Sequence, residues 1–389
     1  MASQTELLKA FEAQDVAVGG LCCVDFLQSI IGELPDDNCL KITGPVKMAS
    51  GGAGPNVGRI LGGKMGLKTL IMGAIGDDAP GGYLREVCGY TPNCTRRFVF
   101  KNDFPTSTTN VLQFGAKERK FLHCPGANEA FAPEDIDADP LRAAGVKLFH
   151  FGYLPLHRLF YQDEGAGAMK AFSALRSSKI KVSMDMVAVD PESDAAKQNW
   201  ANILINVLPF VTFFMPSVPE MMKMLPMIDW PGDENDYAVW EKMANLFLDW
   251  GCQVVVLKLG YLGLYLKTRD TKDLRVKDQH IWRYREIFAV PFKERTDIAY
   301  TTGAGDASIA GFIAAMLKGK LTPHECLEIA NGVSTSSVEQ PDAYSGVMEF
   351  DAVCDRIKGG WRLLHNKIPK DFVPSSDYSG IYERHCARQ

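Results

Sequence analysis

The chain has 389 residues, of which 46% are hydrophobic and 23% are charged, and its formal net charge is −5. This is the composition of a globular protein with a core large enough for one or two domains. The acidic balance, without clustered Lys and Arg, excludes the usual electrostatic footprint of a nucleic-acid-binding protein.

Membrane association is not predicted either. Residues 1–14 lack the basic start and apolar core of a signal peptide, and the most apolar stretch, residues 200–215, is too short to span a bilayer. The ten cysteines are scattered and form no Cys-x-x-Cys pair, which indicates reduced thiols in the core. We therefore expect a cytoplasmic protein without a disulfide framework or a zinc site.

The first predicted strand covers residues 15–24 and ends at Asp25. An acidic residue at the carboxyl end of a buried strand lies where ligands bind in open α/β sheets, although Asp25 taken alone is better explained as a loop or cap residue. A Gly-rich turn at residues 51–58 leads into a helix that ends near residue 65. A strand at 68–72, a second Gly/Asp turn and a helix to about residue 88 follow.

Two other segments have a different pattern. Residues 26–50 show no helix period, and residues 97–100, 107–114 and 120–123 alternate like short strands. Together they predict a small antiparallel sheet inserted in the main fold.

From residue 125 onward, strands alternate with helices, which predicts a parallel sheet with helices on both faces. The predicted strands are 146–151, 180–184, 211–215 and 253–257, and the predicted helices are about 160–176, 191–206, 217–225 and 236–250. We expect antiparallel edge strands at 262–267 and 286–290, helices at about 322–336 and 349–358, and an extended or loosely docked tail at 369–389.

One short motif predicts chemistry. Residues 300–306 spell Tyr-Thr-Thr-Gly-Ala-Gly-Asp and precede an apolar, helix-forming segment. The pattern predicts a tight turn at a helix N-terminus, where unpaired backbone N–H groups and a partial positive charge suit a phosphate. Asp306 in the first turn would then take a proton from a nucleophile while the N–H groups hold the transferred group. An ordinary capped helix start has the same pattern, so the turn alone leaves both interpretations open.

Several motifs together resemble the ribokinase-like (PfkB) carbohydrate kinases. Gly51-Gly52-Ala53-x-x-Asn56 resembles the N-terminal signature of this family, and residues 301–307 resemble its C-terminal signature. Four intermediate pieces agree in order, at residues 20–25, 76–81, 125–128 and 258–263. The resemblance spans residues 16 to 346.

The resemblance implies a Rossmann-like αβα sandwich with a small β lid. The core would comprise residues 1–25, 51–94 and 125–368, the lid residues 26–50 and 95–124, and the tail residues 369–389. It also implies transfer of the ATP γ-phosphoryl group, with Mg²⁺, to a hydroxyl of a sugar or similar polyol. We further expect that two copies can form a homodimer in which the lids make the contact.

The resemblance implies a role for each matching residue. Asp306 would be the general base, beside an anion hole formed by the backbone of Gly303, Ala304 and Gly305. The other implied roles are acceptor binding by Asp25, Gly51, Gly52 and Asn56, nucleotide binding by Lys258, Gly260, Gly263 and Asn331, and a metal-linked position at Glu220.

Two positions depart from the family pattern. Ser217 replaces the amide of the usual Asn-x-x-Glu, and Tyr300 replaces an Asp that often helps to hold an activating monovalent cation. We therefore expect activity that changes little when K⁺ is replaced by an inert cation. A nucleoside kinase of the same fold and a non-catalytic nucleotide- or sugar-binding regulator are the alternatives.

Overall fold

A computed structural model describes residues 13–114, 118–271, 274, 278–295, 301–320 and 322–384. In these residues the chain forms a large sheet of eleven strands and a separate sheet of four strands. Two hydrophobic clusters lie on the two faces of the large sheet, each between the sheet and its own helices. This confirms the predicted α/β sandwich with a small β lid.

The large sheet is mixed. Its strands, in spatial order, are β14 (Val373–Pro374), β15 (Ile381–Glu383), β13 (Glu286–Ala289), β12 (Leu264–Thr268), β11 (Val254–Lys258), β10 (Phe213–Phe214), β9 (Lys181–Met184), β8 (Leu148–Gly152), β1 (Val16–Gly20), β4 (Thr69–Ile75) and β5 (Cys94–Phe100). The strands from β11 to β5 are parallel, and those from β12 to β14 pair antiparallel. The carboxyl ends of the parallel strands therefore meet at one edge, where open α/β sheets bind ligands.

The helices of the described residues follow the predicted alternation with strands. They are α1 (Ala53–Arg59), α2 (Ala79–Tyr90), α3 (Ala138–Ala143), α4 (Arg158–Ser177), α5 (Trp200–Val207), α6 (Val218–Met224), α7 (Tyr237–Asp249), α8 (Ala304–Leu317), α9 (Pro323–Ser337) and α10 (Phe350–Lys358). A π-helical turn, Ile60–Lys64, extends α1. The predicted helix at 191–206 is wrong in its first half, because helix begins only at Trp200. Helix α4 is kinked, with non-helical backbone at residues 162–165.

The predicted strand at residues 15–24 is in fact two strands. β1 ends at Gly20, whose φ of 114° turns the chain, and β2 (Cys23–Ile30) continues into the small sheet. Asn128 fixes this break, because its side-chain amide accepts from the Cys22 N–H at 3.2 Å and donates to the Cys22 carbonyl at 3.0 Å. As a result, Asp25 lies within a lid strand and not at the end of a strand of the large sheet.

The small sheet has the order β3 (Lys47–Gly51), β2, β6 (Ser107–Phe114) and β7 (Glu118–Cys124). The prediction of a wholly antiparallel sheet is wrong, because β2 pairs with β6 in parallel. The predicted strand at 97–100 also differs, because β5 pairs with β4 at the edge of the large sheet. In register, Asp25 pairs with Thr109, which pairs with His123, so these three side chains share one face of the lid.

The C-terminal tail is docked more firmly than predicted. β15 pairs antiparallel with β13, and Arg285 Nη1 donates to the Glu383 carboxylate at 2.8 Å. The prediction of edge strands at 262–267 and 286–290 is therefore wrong, because β12 and β13 each have a neighbour on both sides, although both pair antiparallel. The tail adds two strands to the large sheet.

Candidate active site

The turn before α8 has the predicted helix-start geometry. Gly303 is the N-cap with φ of 77°, a left-handed conformation, and a Cβ atom added there would lie 2.2 Å from the Ala343 Cβ. Glycine is therefore required at this position. Ala304, Gly305 and Asp306 form the first turn, whose backbone N–H groups have no intrahelical partner. The turn presents these groups to a cavity of about 1290 Å³.

Asp306 is held rigidly although it lies at a helix start. It is 2% exposed, and its two oxygens have different partners. Asn56 Nδ2 donates to Oδ2 at 2.9 Å, and the Tyr153 hydroxyl donates to Oδ1 at 2.9 Å. Asn56 lies in α1 and Tyr153 follows β8, so two separate elements fix the orientation of the carboxylate.

The electrostatics of Asp306 suit a proton acceptor. Burial raises the pKa of its carboxyl above the ordinary value, and the hydrogen bonds from Asn56 and Tyr153 and the nearby Lys258 ammonium partly oppose that rise. A carboxylate whose pKa is raised binds a proton more strongly, which favours general-base catalysis.

The structure brings the predicted site residues together with one exception. The predicted residues that line the cavity are Asp25, Gly52, Asn56, Glu220, Lys258, Gly260, Gly263, Gly303, Ala304, Gly305, Asp306 and Asn331. Gly51 instead lies behind Asp25: a Cβ atom added to Gly51 would be 2.2 Å from Asp25 Oδ1. Gly51 is thus required for the packing of Asp25.

Asp25 is another carboxylate that lines the cavity, and its side chain is half-buried. The Cys23 thiol donates to its Oδ1 at 3.4 Å, and the Thr109 hydroxyl supplies a further hydrogen bond. Burial raises the pKa of Asp25 to about 6, and these two bonds oppose the rise. Asp25 is therefore ionised at neutral pH and titrates just below it.

Two buried polar atoms of residues that line the cavity have no hydrogen-bond partner in the described part of the chain. They are Asn56 Oδ1 and His123 Nε2. His123 Nδ1 is 3.0 Å from the Thr109 hydroxyl, which fixes the ring of this lid residue. Buried polar groups are normally hydrogen-bonded, so these two atoms are candidates to bind a ligand that carries hydroxyl groups.

A buried ion pair lies next to the anion hole. Lys258, at the end of β11, donates to both oxygens of Asp185, which follows β9, at 2.7 Å each. Glu220, in the first turn of α6, lines the same part of the cavity. The Ser217 N–H donates to the Glu220 carboxylate at 3.4 Å, so Ser217 still positions the acid through its backbone. Tyr300 lies outside the described residues.

The far end of the cavity is formed by glycine turns and α9. Gly263 has φ of 110°, and a Cβ atom there would lie 2.1 Å from the Ala289 carbonyl oxygen. Asn331 Nδ2 donates to the carbonyls of Ala289 and Val290 at 3.1 and 3.2 Å. Asn331 thus ties α9 to the end of β13 while it lines the cavity. Gly260, with φ of 60°, has open space around its Cα.

Some site residues were not predicted from the sequence. Tyr153 has a left-handed backbone with φ of 65°, an unusual conformation for a bulky residue that often marks a functional site. The lid residue Arg119 donates to the Thr301 hydroxyl and so links the lid to the anion-hole turn. Asp185 was also not predicted. Its only sequence signal is its position after a buried strand, the same weak indication of a ligand-binding residue that applied to Asp25.

Comparison with known proteins agrees with this geometry. A model of the pfkB family of carbohydrate kinases matches residues 14–349, most of the chain. The chain therefore belongs to the pfkB carbohydrate kinase family, whose members are phosphotransferases with an alcohol group as acceptor.

The similarity to individual relatives is distant but covers long stretches. A sugar kinase of Archaeoglobus fulgidus, described as uncharacterized, is 25% identical over 289 residues, which are 73% of this chain and 96% of that protein. The structure of Arabidopsis thaliana ribokinase complexed with ribose and ATP matches with a TM-score of 0.66 at 18% identity, covering 88% of this chain and 98% of that one.

A putative ribokinase II from E. coli, in complex with ATP and Mg²⁺, matches with a TM-score of 0.66 at 19% identity, covering 89% and 99% of the two chains. At these identities the solved structures show a shared fold. No helix within the described residues is long and apolar enough to cross a membrane.

Proposed function

We propose that the protein transfers the γ-phosphoryl group of ATP to a hydroxyl of a sugar or sugar-like polyol, with Asp306 as the general base. The observation that supports this most strongly is the arrangement around Asp306. A buried carboxylate, fixed at both oxygens, lies in the first turn of a helix whose first residues line the same cavity. Phosphoryl transfer needs mainly such positioning and charge stabilisation.

The reaction follows from this arrangement. The acceptor hydroxyl gives its proton to Asp306, and its oxygen forms a bond to the γ-phosphorus. The bond from phosphorus to the β,γ-bridging oxygen breaks, and ADP leaves with that electron pair. The backbone N–H groups of Gly303, Ala304 and Gly305 hold the oxygens of the group in transit.

The acceptor would bind between the lid and α1. The Asp25 carboxylate, Asn56 Oδ1 and His123 Nε2 are acceptors that suit several hydroxyl donors of one small molecule. Gly52 lines this end, and Gly51 supports it through the packing of Asp25. The other end, at Gly260, Gly263 and Asn331, would take the nucleotide.

The residues present also fit Mg²⁺. Among the described residues there is no group of three or more His, Cys, Asp or Glu side chains placed to hold a metal ion. Mg²⁺ is usually bound by one or two carboxylates together with substrate phosphates and waters, and Glu220 is a carboxylate that lines the cavity. Glu220 would supply the carboxylate, and the bound ion would neutralise charge on the phosphates.

The proposal is tested by coupled detection of ADP release across a panel of aldoses, ketoses, sugar acids and nucleosides, with Mg²⁺ and ATP. We expect turnover with at least one sugar. In Asp306→Asn, turnover should fall by ~10²–10⁴-fold, the usual contribution of a positioned general base. Asp135→Asn is the matched control, because Asp135 pairs with Lys101 outside the cavity at 2.9 Å, and it should retain turnover.

Three outcomes would change the proposal. Turnover with nucleosides alone would make the protein a nucleoside kinase. ATP binding without turnover on any acceptor would favour a regulator. Near-normal turnover of Asp306→Asn would show that another group takes the proton. Replacing K⁺ by an inert cation in the same assay tests the expectation that rests on Tyr300.

A further inference from the structure

Lys258 is held at the point where the phosphoryl group would be transferred. Its side chain is 12% exposed, and its Nζ donates to both oxygens of the fully buried Asp185 at 2.7 Å. Its backbone is fixed as well, because the Lys258 N–H donates to the Pro216 carbonyl at 2.9 Å. The ammonium therefore has a defined position at the carboxyl edge of the sheet.

The ammonium lies against the anion-hole turn. A Cβ atom added to Gly305 would be 3.4 Å from Lys258 Nζ, which is ordinary van der Waals contact. The carboxylates that face Lys258 are Asp185, Glu220 and Asp306, and together they raise its pKa more than burial lowers it. Lys258 is thus a permanent positive charge beside the helix start.

A contribution to stability alone does not explain why Lys258 and Asp185 form a buried ion pair. Buried ion pairs contribute little net stability, because desolvation of two charges offsets their attraction. The same chain contains a comparison: Lys267 on β12 is 11% exposed and lies 3.2 Å from the Glu286 carboxylate, but it does not line the cavity. Lys258 differs from Lys267 in facing the cavity next to Gly305.

We propose that Lys258 is a further catalytic residue, whose ammonium contacts the γ-phosphoryl group of the nucleotide and stabilises the charge on it during transfer, with Asp185 holding the ammonium in place. This inference rests on the proposed function. Lys258 gives up no proton in the reaction. It adds a full charge to the partial charges that the backbone N–H groups supply.

The test compares two nucleotides by calorimetry with Mg²⁺: AMP-PNP, which has a γ-phosphoryl group, and ADP, which has none. In Lys258→Met, we expect AMP-PNP binding to weaken about 10- to 100-fold, the range for a lost hydrogen bond to a charged group, and ADP binding to change less than about threefold. Turnover with the best acceptor should fall by ~10²–10³-fold.

Because Lys258→Met leaves Asp185 without its partner, a double variant, Lys258→Met with Asp185→Asn, accompanies it. The double variant contains no buried unpaired charge, so its fold should be as stable as that of the wild type. If Lys258 contacts the γ-phosphoryl group, the double variant still binds AMP-PNP as weakly as Lys258→Met. Recovery of AMP-PNP binding in the double variant would show a structural role and overturn the inference.

Lys267→Met is the matched control. It removes a lysine of equal burial and should lower the melting temperature without changing the ratio of AMP-PNP to ADP affinity. An equal loss of both nucleotides in Lys258→Met would also overturn the inference. If the wild type transfers phosphoryl groups while Lys258→Met keeps normal affinity and turnover, this inference fails alone. If the wild type binds neither nucleotide, the proposed function fails as well.

Discussion

Two carboxylates that line the cavity, the buried Asp306 and the half-buried Asp25, are held in different ways. Asp306 lies on the large-sheet side. One of its oxygens accepts a hydrogen bond from the Asn56 amide and the other accepts one from the Tyr153 hydroxyl, each at 2.9 Å. Asp25, on the lid side, is held by a thiol at 3.4 Å and by a threonine hydroxyl. Burial raises the pKa of both, to about 6 for Asp25.

The difference separates two tasks. Amide and phenol donors are strong and directional, so they fix a base whose geometry must not vary between substrates. A thiol is a weak donor, which leaves the Asp25 carboxylate with capacity to accept bonds from hydroxyl groups of a ligand. Under the proposed function, the large-sheet side would perform the reaction and the lid side would select the acceptor.

The first test of this comparison concerns the lid side. Asp25→Asn should raise the acceptor KM about 10- to 100-fold, the range for a hydrogen bond to a charged group, with a smaller effect on kcat. The wild type should also show a KM that rises as the pH falls through about 6, because protonation then removes the charge from Asp25. Steady-state kinetics from pH 5 to 8 measure both effects.

The Asp25→Asn variant should have no such rise in KM, since it has no group that titrates there. Asp103→Asn makes the same change in an exposed turn before the lid and should match the wild type. An Asp25→Asn variant that lost kcat and kept its KM would contradict the division between the two carboxylates.

The turn before Asp306 and the large sheet could be predicted from the sequence, because the patterns that indicate them are local. The glycine spacing before Asp306 requires a tight turn, and the apolar run after it requires a helix, so the base and its anion hole follow from a few consecutive residues. The alternation of strands and helices predicted the large sheet for the same reason.

The remainder depends on contacts between distant parts of the chain. Asn128 breaks the first strand at Cys22, 106 residues away, and thereby moves Asp25 into the lid. Tyr153 reaches Asp306 across 153 positions. No local pattern encodes either contact. The start of β2, residues 23–25, and β5 joined different sheets from those predicted, because strand pairing is also decided at long range.

Tyr153→Phe sharpens the comparison on the large-sheet side. The Tyr153 hydroxyl stabilises the ionised form of Asp306, so its removal should raise the pKa of that carboxyl further. The base must be ionised to act, and activity is lost as the pH falls through its pKa. The acid limb of the kcat profile should therefore move to higher pH.

The matched control is Tyr265→Phe. Like Tyr153, Tyr265 donates to a carboxylate, here Glu286 at 2.7 Å, but Tyr265 is fully buried and lies outside the cavity. It should affect stability and leave the pH profile unchanged. A fall in kcat of Tyr153→Phe without any shift of the acid limb would show that Tyr153 acts on the acceptor and not on Asp306.

The smallest expected effect concerns the support of α8, the helix that carries Asp306. Gly311 faces α9, and a Cβ atom there would lie 2.9 Å from both the Ala330 Cα and the Val333 Cβ. Gly311→Ala should therefore destabilise the protein by about 1–3 kcal/mol, as overpacking does.

Gly82→Ala in α2 is the matched control, since nothing lies within 4 Å of the added Cβ and alanine favours helix. Thermal unfolding should show a lower melting temperature for Gly311→Ala and an equal or higher one for Gly82→Ala. If Gly311→Ala were as stable as the wild type, the contact between α8 and α9 would tolerate displacement, and the expected tight packing at Gly311 would be wrong.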